Sequence, residues 1–143
     1  MNWKQLIFSG LVFMIVAFIV HTIGSMLTMD YYTNPAYFCY WSELMMPSNG
    51  PPGMEFFVAS LIVNFAIGVT YAGGYFMLKK AIPGKEYMKG VNFGLLLFLL
   101  IALPYTLTSV LLLSFPLGLL IAWTLENLVI YVLGGAAFAK LIQ

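Results

Sequence analysis

The sequence predicts an all-α membrane protein, a bundle of four transmembrane helices, and three observations carry that prediction. Of the 143 residues, 62% are hydrophobic and 8% are charged, and the mean hydropathy is +0.97. A water-soluble domain carries roughly a quarter charged residues, so this chain cannot clothe a surface that faces water. Four apolar stretches, about 5–29, 54–78, 91–113 and 116–140, each reach the roughly 20 residues that a helix needs to cross a bilayer. All six cations are lysines, and in a four-pass chain they fall on one side. The length fits a single domain, 1–143.

The first stretch follows Lys4 and so starts like a signal peptide. Its apolar run continues from Leu6 to about Thr28 with no A-x-A-like site behind it, and it reads as an uncleaved helix. Between the first and second stretches lies a segment, 30–53, holding Asp30 and Glu43 and no cation. Its six aromatics between Tyr31 and Trp41 are an interfacial composition, since Tyr and Trp rest at headgroup depth. A short interfacial helix over about 35–46, ended by Pro47, is expected there. That element serves either as an aromatic anchor or as a lid over a space between the helices. Residues 79–90 form a connection with four lysines, and Pro116 suits the first turn of the last helix. Positive-inside bias places both termini and 79–90 in the cytoplasm and 30–53 outside.

The two halves echo each other. Lys4, Phe8 and Gly10 open the first stretch as Lys89, Phe93 and Gly94 open the third; Tyr71 with Gly73-Gly74 resembles Tyr131 with Gly134-Gly135. This pattern fits either a tandem repeat of two helical hairpins about an axis along the membrane normal or a chance similarity between apolar segments.

Helices in lipid associate through small residues and interhelical hydrogen bonds. The second stretch carries Ser60, Asn64, Gly68 and Ala72 at intervals of four; the third opens with Gly90 and Gly94; the fourth carries Gly118, Ala122, Glu126 and Gly134 on one row. Gly10, Ala17, His21, Gly24 and Thr28 share a face of the first. Gly68, Ala72, Gly90, Gly94, Gly118 and Gly134 are therefore the expected helix contacts. Pro104 removes a backbone hydrogen bond and bends the third helix, and Tyr105, Thr106 and Thr108 stand ready to answer the freed carbonyl.

Glu126 is the most informative residue. It lies about 15 Å inside the fourth helix, where a carboxylate costs several kcal/mol unless paired, protonated or wetted. Asn127 follows it, Asn64 sits at comparable depth in the second helix, and His21 lies within about one turn of the same depth in the first. His21, Asn64, Glu126 and Asn127 are the candidates for a ligand or ion site. The competing reading is a neutral Glu126 that hydrogen-bonds a neighbouring helix and holds the bundle together.

Other chemistry finds little support. Cys39 is the lone cysteine, which excludes an internal disulfide and the usual zinc spacing. A single histidine without C-x-x-C-H argues against haem, and the nine methionines match no copper-binding repeat and read as apolar filler. Without arginine, a nucleic-acid surface is not expected. No nucleophile elbow, phosphate loop or zincin motif occurs, so no enzyme activity, cofactor or metal is expected.

Lys89-Gly90, Phe93-Gly94, Pro104, Pro116 with Gly118, Trp123 and Gly134-Gly135 together resemble a group of small prokaryotic four-helix membrane proteins of unknown function. The resemblance covers mainly residues 89–140. It implies the fold and an address in the prokaryotic inner membrane, and it transfers no catalytic residue. The chain lacks the paired embedded signatures of the small multidrug exporters and the Gly-rich and Arg motifs of four-helix fluoride channels. Two functions are carried forward. One is an oligomer that binds or conducts a small solute or ion near the buried polar cluster. The other is a non-catalytic accessory subunit of a larger membrane complex, partnered by lipid, by its own copies or by other membrane subunits.

Overall fold

A computed structural model describes residues 2–142, apart from the side chain of Asn49. Among them are four helices long and apolar enough to cross a membrane: α1 (Trp3–Leu27), α2 (Met54–Leu78), α3 (Tyr87–Leu112) and α4 (Leu117–Leu141). Their ends follow local chemistry. Asn2 caps α1, its side chain accepting from Lys4 N at 3.1 Å, while the Gln5 side chain reaches back to Asn2 N. This reciprocal pair satisfies two N–H groups that a helix start otherwise leaves open. Pro116 stands at the N-cap of α4, one residue before the position expected of it, and Lys140 lies in the last turn, where a cation complements the helix dipole.

Successive helices run antiparallel, which gathers the lysines at one end of the bundle and Asp30, Glu43 and Glu55 at the other. α4 packs on α3 and α1, and α1 packs on α2. At the lysine end the backbones touch. A Cβ on Gly68 would sit 2.7 Å from the Phe13 Cβ and 3.0 Å from the Gly10 carbonyl oxygen. A Cβ on Gly90 or Gly94 would collide with the carbonyls of Gly135 and Tyr131, and one on Gly134 would fall 2.6 Å from the Phe13 ring. Ala72 is fully buried. Gly118 departs from expectation: it faces the Tyr31 hydroxyl, 2.5 Å from where a Cβ would stand, so it seats the aromatic segment rather than another helix.

The core fills this same end with aromatics from all four helices. Phe13 packs at 5.7 Å from Tyr71 and 6.0 Å from Phe138, and Tyr75 packs edge-on to Phe93 at 5.4 Å. The loop between α2 and α3 is anchored to it. Ile82 is buried, and the Asn92 amide donates to the Pro83 carbonyl at 2.8 Å. Gly84 takes φ +113°, a turn conformation that a side chain would strain.

Two expectations need correction. The helix foreseen over 35–46 is a 3-10 helix over Pro35–Tyr40, preceded by a single α turn, Asp30–Thr33. It stops because Trp41 turns extended (φ −93°, ψ 143°), letting its indole N–H reach the Tyr31 carbonyl at 3.0 Å and its ring stack on Tyr32 at 4.8 Å. Pro104 does not act by a simple bend. A π-helical stretch, Phe98–Ala102, precedes it, and the Leu103 N–H bonds Phe98 across the widened turn. Such a turn makes room for a ring that would otherwise clash with the carbonyl four residues back. Thr106 bonds the Ala102 carbonyl at 3.0 Å and reaches across to Thr124 of α4 at 2.6 Å, so it also ties two helices. The internal repeat fares unevenly: Gly135 lies against Gly90, whereas its echo in α2 is partnered differently, Gly73 facing open space and Gly74 only brushing Phe93 at 3.7 Å.

These contacts set a contrast. Gly94→Ala must force α3 from α4 against backbone atoms, at about 1–3 kcal/mol, and should lower the melting temperature in detergent by roughly 5 °C or more. Gly73→Ala meets nothing and gains helix propensity, so it should melt at or above the wild-type temperature. Equal melting of the two variants would remove the glycine contacts as the basis of packing.

Candidate functional site

Beyond the Gly10–Gly68 contact, α1 and α2 border a half-open wedge, a cavity of about 480 Å³. α4 supplies its back wall with Trp123 and Glu126. Tyr32, Met29, Met45 and Pro52, from the α1 end and the aromatic segment, close the end away from the lysines. Phe18 from α1 and Phe56 and Phe57 from α2 give the remaining wall its aromatic faces, beside Thr22, Ser25, Ser60 and Asn64.

At the back of the wedge His21 Nδ1 stands 2.7 Å from Glu126 Oε2. The Glu126 side chain is 10% exposed and that of His21 is 44% exposed, so the carboxylate is held inside and the imidazole borders the cavity. Gly24 makes the arrangement fit. A Cβ there would overlap the Glu126 carboxylate, so the acid lies directly on the α1 backbone, one turn beyond His21. One proton between the two groups either makes an imidazolium–carboxylate pair or leaves a neutral couple. In both, Glu126 fixes the orientation of the ring, and Nε2 has no hydrogen-bond partner among the described residues.

The other polar groups on the wall are turned to their own helices. Thr22 donates to Phe18 O (2.7 Å), Ser25 to Thr22 O (2.9 Å), Ser60 to Phe57 O (2.9 Å) and the Asn64 amide to Ser60 O (2.8 Å). Each hydroxyl has one proton, so Thr22, Ser25 and Ser60 leave oxygen lone pairs for the cavity, and Asn64 leaves its carbonyl oxygen and one N–H. The roof is fastened to the back wall: Trp123 Nε1 donates to the Tyr32 hydroxyl at 3.3 Å, and Trp41 packs edge-on to Trp123 at 6.0 Å. Burial pushes the Tyr32 hydroxyl above the usual tyrosine range. Hydrogen bonds with Trp123 and Thr28 oppose that, and the negative charge of Glu126 adds to it.

Of the residues singled out in the sequence, His21, Asn64 and Glu126 share one cavity. Asn64 is not level with the pair. Measured along the helices from the Gly10–Gly68 contact, His21 stands roughly 16 Å and Asn64 roughly 6 Å toward the aromatic end, which puts Asn64 at the narrow base. Asn127 does not line the cavity, and its amide donates to the Trp123 carbonyl of its own helix at 2.9 Å. Gly24, Trp123 and Tyr32 belong to the site without having been counted in it. For Gly24 a signal existed: it follows His21 by three residues on the same helical face. Among the described residues, no three His, Cys, Asp or Glu side chains come together as metal ligands would.

A double-mutant cycle on thermal stability tests the pair. His21→Ala and Glu126→Gln should lose less together than the sum of their separate losses, with a coupling of order 1 kcal/mol. Gly24→Val, which expels the carboxylate from its seat, should abolish that coupling. Strictly additive losses would mean that the two side chains do not interact in the folded protein.

Compared with known protein families, curated proteins and solved structures, the chain matches none of them, and the reading of the site rests on the geometry above.

Proposed function

We propose that this chain is an integral membrane protein that binds a small solute or ion in the cavity between α1, α2 and α4, with the His21–Glu126 pair as its polar end. The observation that carries the reading is the pairing of a buried carboxylate with a half-exposed imidazole on the wall of a cavity of about 480 Å³. Small-molecule sites have volumes of roughly 300–1,000 Å³ and are mostly apolar with a few placed polar groups. Helices of 25 or 26 residues extend about 38 Å, enough for a hydrocarbon core of about 30 Å with some tilt.

The lysine bias orients the bundle with both termini and 79–90 in the cytoplasm, of a prokaryotic inner membrane on the resemblance stated above. The cavity then lies in the outer leaflet, under the 30–53 segment. Self-association, or docking to other membrane subunits, belongs to the same proposal. A second reading, the accessory subunit, is favoured by the seat of Glu126 on Gly24, because that contact also holds α4 to α1.

Two measurements test the proposal. Exposed Cys39 should react with a membrane-impermeant thiol reagent from outside intact cells, and Lys85→Cys in a Cys39→Ser background should not. Reaction at position 85 from outside would reverse the orientation. Native mass spectrometry of the protein released from its own membrane should find a small-molecule adduct that Ser60→Trp, which fills the cavity, removes and Gly73→Ala keeps. An adduct indifferent to Ser60→Trp, or a wild-type protein without any, would favour the accessory reading.

A further inference from the structure

We infer that the cavity takes a lipophilic organic monocation, and that the cation and the His21 proton compete for the charge of Glu126. The inference rests on the solute-binding reading above and names its ligand class.

Charge comes first. Glu126 is the one carboxylate on the cavity wall. The groups facing it are His21 from α1, Tyr32 and Met29 from the roof, Trp123 on its own helix, and Phe56, Phe57, Ser60, Leu61 and Asn64 from α2. Among these His21 and Tyr32 are the ionisable side chains, and burial pushes the Tyr32 hydroxyl up, toward its neutral form. With a proton on the imidazole the pair is neutral; without it the pair carries one negative charge. In a low-dielectric wedge that charge attracts one compensating cation strongly, and the proton and the ligand cannot both be that cation.

The wall selects the kind of cation. Thr22, Ser25 and Ser60 spend their single protons on their own helices and offer acceptors, Asn64 keeps one amide N–H beside its carbonyl oxygen, and with the Glu126 carboxylate the lining suits a positive ligand better than an anion. A small hard ion would need about six oxygens gathered around it to replace its hydration shell, whereas the oxygens of this wall come from α1, α2, α4 and the roof and are interspersed with apolar and aromatic side chains. The faces of Tyr32, Trp123, Phe18, Phe56 and Phe57 suit a weakly hydrated ammonium bearing apolar groups. Binding is balanced as an exchange: the cation enters beside Glu126, the N–H bond of the imidazolium breaks, and the proton leaves to water.

Benzyltrimethylammonium is the probe, because its charge does not depend on pH, and its neutral carbon isostere, neopentylbenzene, is the control. Calorimetry on the full chain in detergent should give an affinity about ten-fold or more weaker in acidic than in alkaline medium, with up to one proton released per cation. The isostere should bind at least about ten-fold more weakly than the cation at the higher pH. Glu126→Gln should lose the cation while eluting as a folded species, Glu126→Asp should restore part of the binding, and His21→Gln should flatten the pH dependence to less than about two-fold. Isostere and cation binding alike, or an affinity blind to pH, would overturn the cation inference and leave the solute site standing. If neither probe binds and Ser60→Trp also leaves the native adduct untouched, both readings fall.

Discussion

Everything at the aromatic end follows from how closely the backbones meet at the lysine end. Gly10 against Gly68, and Gly90 and Gly94 against Gly135 and Tyr131, bring helix axes to a separation that only residues without a Cβ allow. Nothing comparable holds α1 to α2 farther along. There Phe18, Phe56 and Phe57 line the gap, and the indole of Trp123 is tied to Tyr32 of the roof. Beyond the clamp at one end, the two helices border a half-open wedge. The cavity is therefore a consequence of side-chain size distributed unequally along each helix, and its depth is set by where the glycines stop.

The same inequality explains what the sequence could and could not reveal. Helix number and length were legible because composition marks them: each unbroken apolar run became one helix long and apolar enough to cross a membrane. The row Ser60, Asn64, Gly68, Ala72 was legible as one inward face, but it divides in two. Gly68 and Ala72 pack, while Ser60 and Asn64 line the cavity, because the partner helix departs between them. Periodicity reports the face and says nothing of the distance to the neighbour. Counting residues from helix ends brought His21 and Glu126 to one depth, and they lie at 2.7 Å. The same count placed Asn64 too near them, since the α1–α2 register is fixed by the Gly10–Gly68 contact and not by the loop. The aromatic segment was least legible. Its path depends on the Trp41 indole reaching the Tyr31 carbonyl and on rings stacking across it, tertiary contacts that local propensity does not encode. Pro104 announced a disturbance in α3, yet the widened turn before it has no signature of its own.

Gly24 links packing to electrostatics. A carboxylate inside an apolar bundle needs its lone pairs met and its charge answered, and the remaining distance to any donor is decisive. By giving up its side chain, Gly24 lets Glu126 lie flat on α1, where His21 one turn away meets it with a ring nitrogen. A methyl group at that position would overlap the carboxylate and displace it from its seat beside the imidazole. The glycine thus does for the polar pair what Gly68 and Gly94 do for the helix backbones.

A pair used only to hold helices together should be closed on every side. Burying an ion pair gives little net stability compared with well-packed apolar groups of the same volume, so a bundle gains little by choosing one for glue. The His21–Glu126 pair is closed on one side only. Its carboxylate is enclosed against Gly24, while its imidazole is 44% exposed and presents an Nε2 with no partner among the described residues to a space lined with oxygen lone pairs and aromatic faces. Enclosure of the acid makes its charge strong, and exposure of the base lets the proton that answers that charge be exchanged. That division of burial is the arrangement a site requires and a structural contact does not, and it is the reason for reading the wedge as a place where something binds.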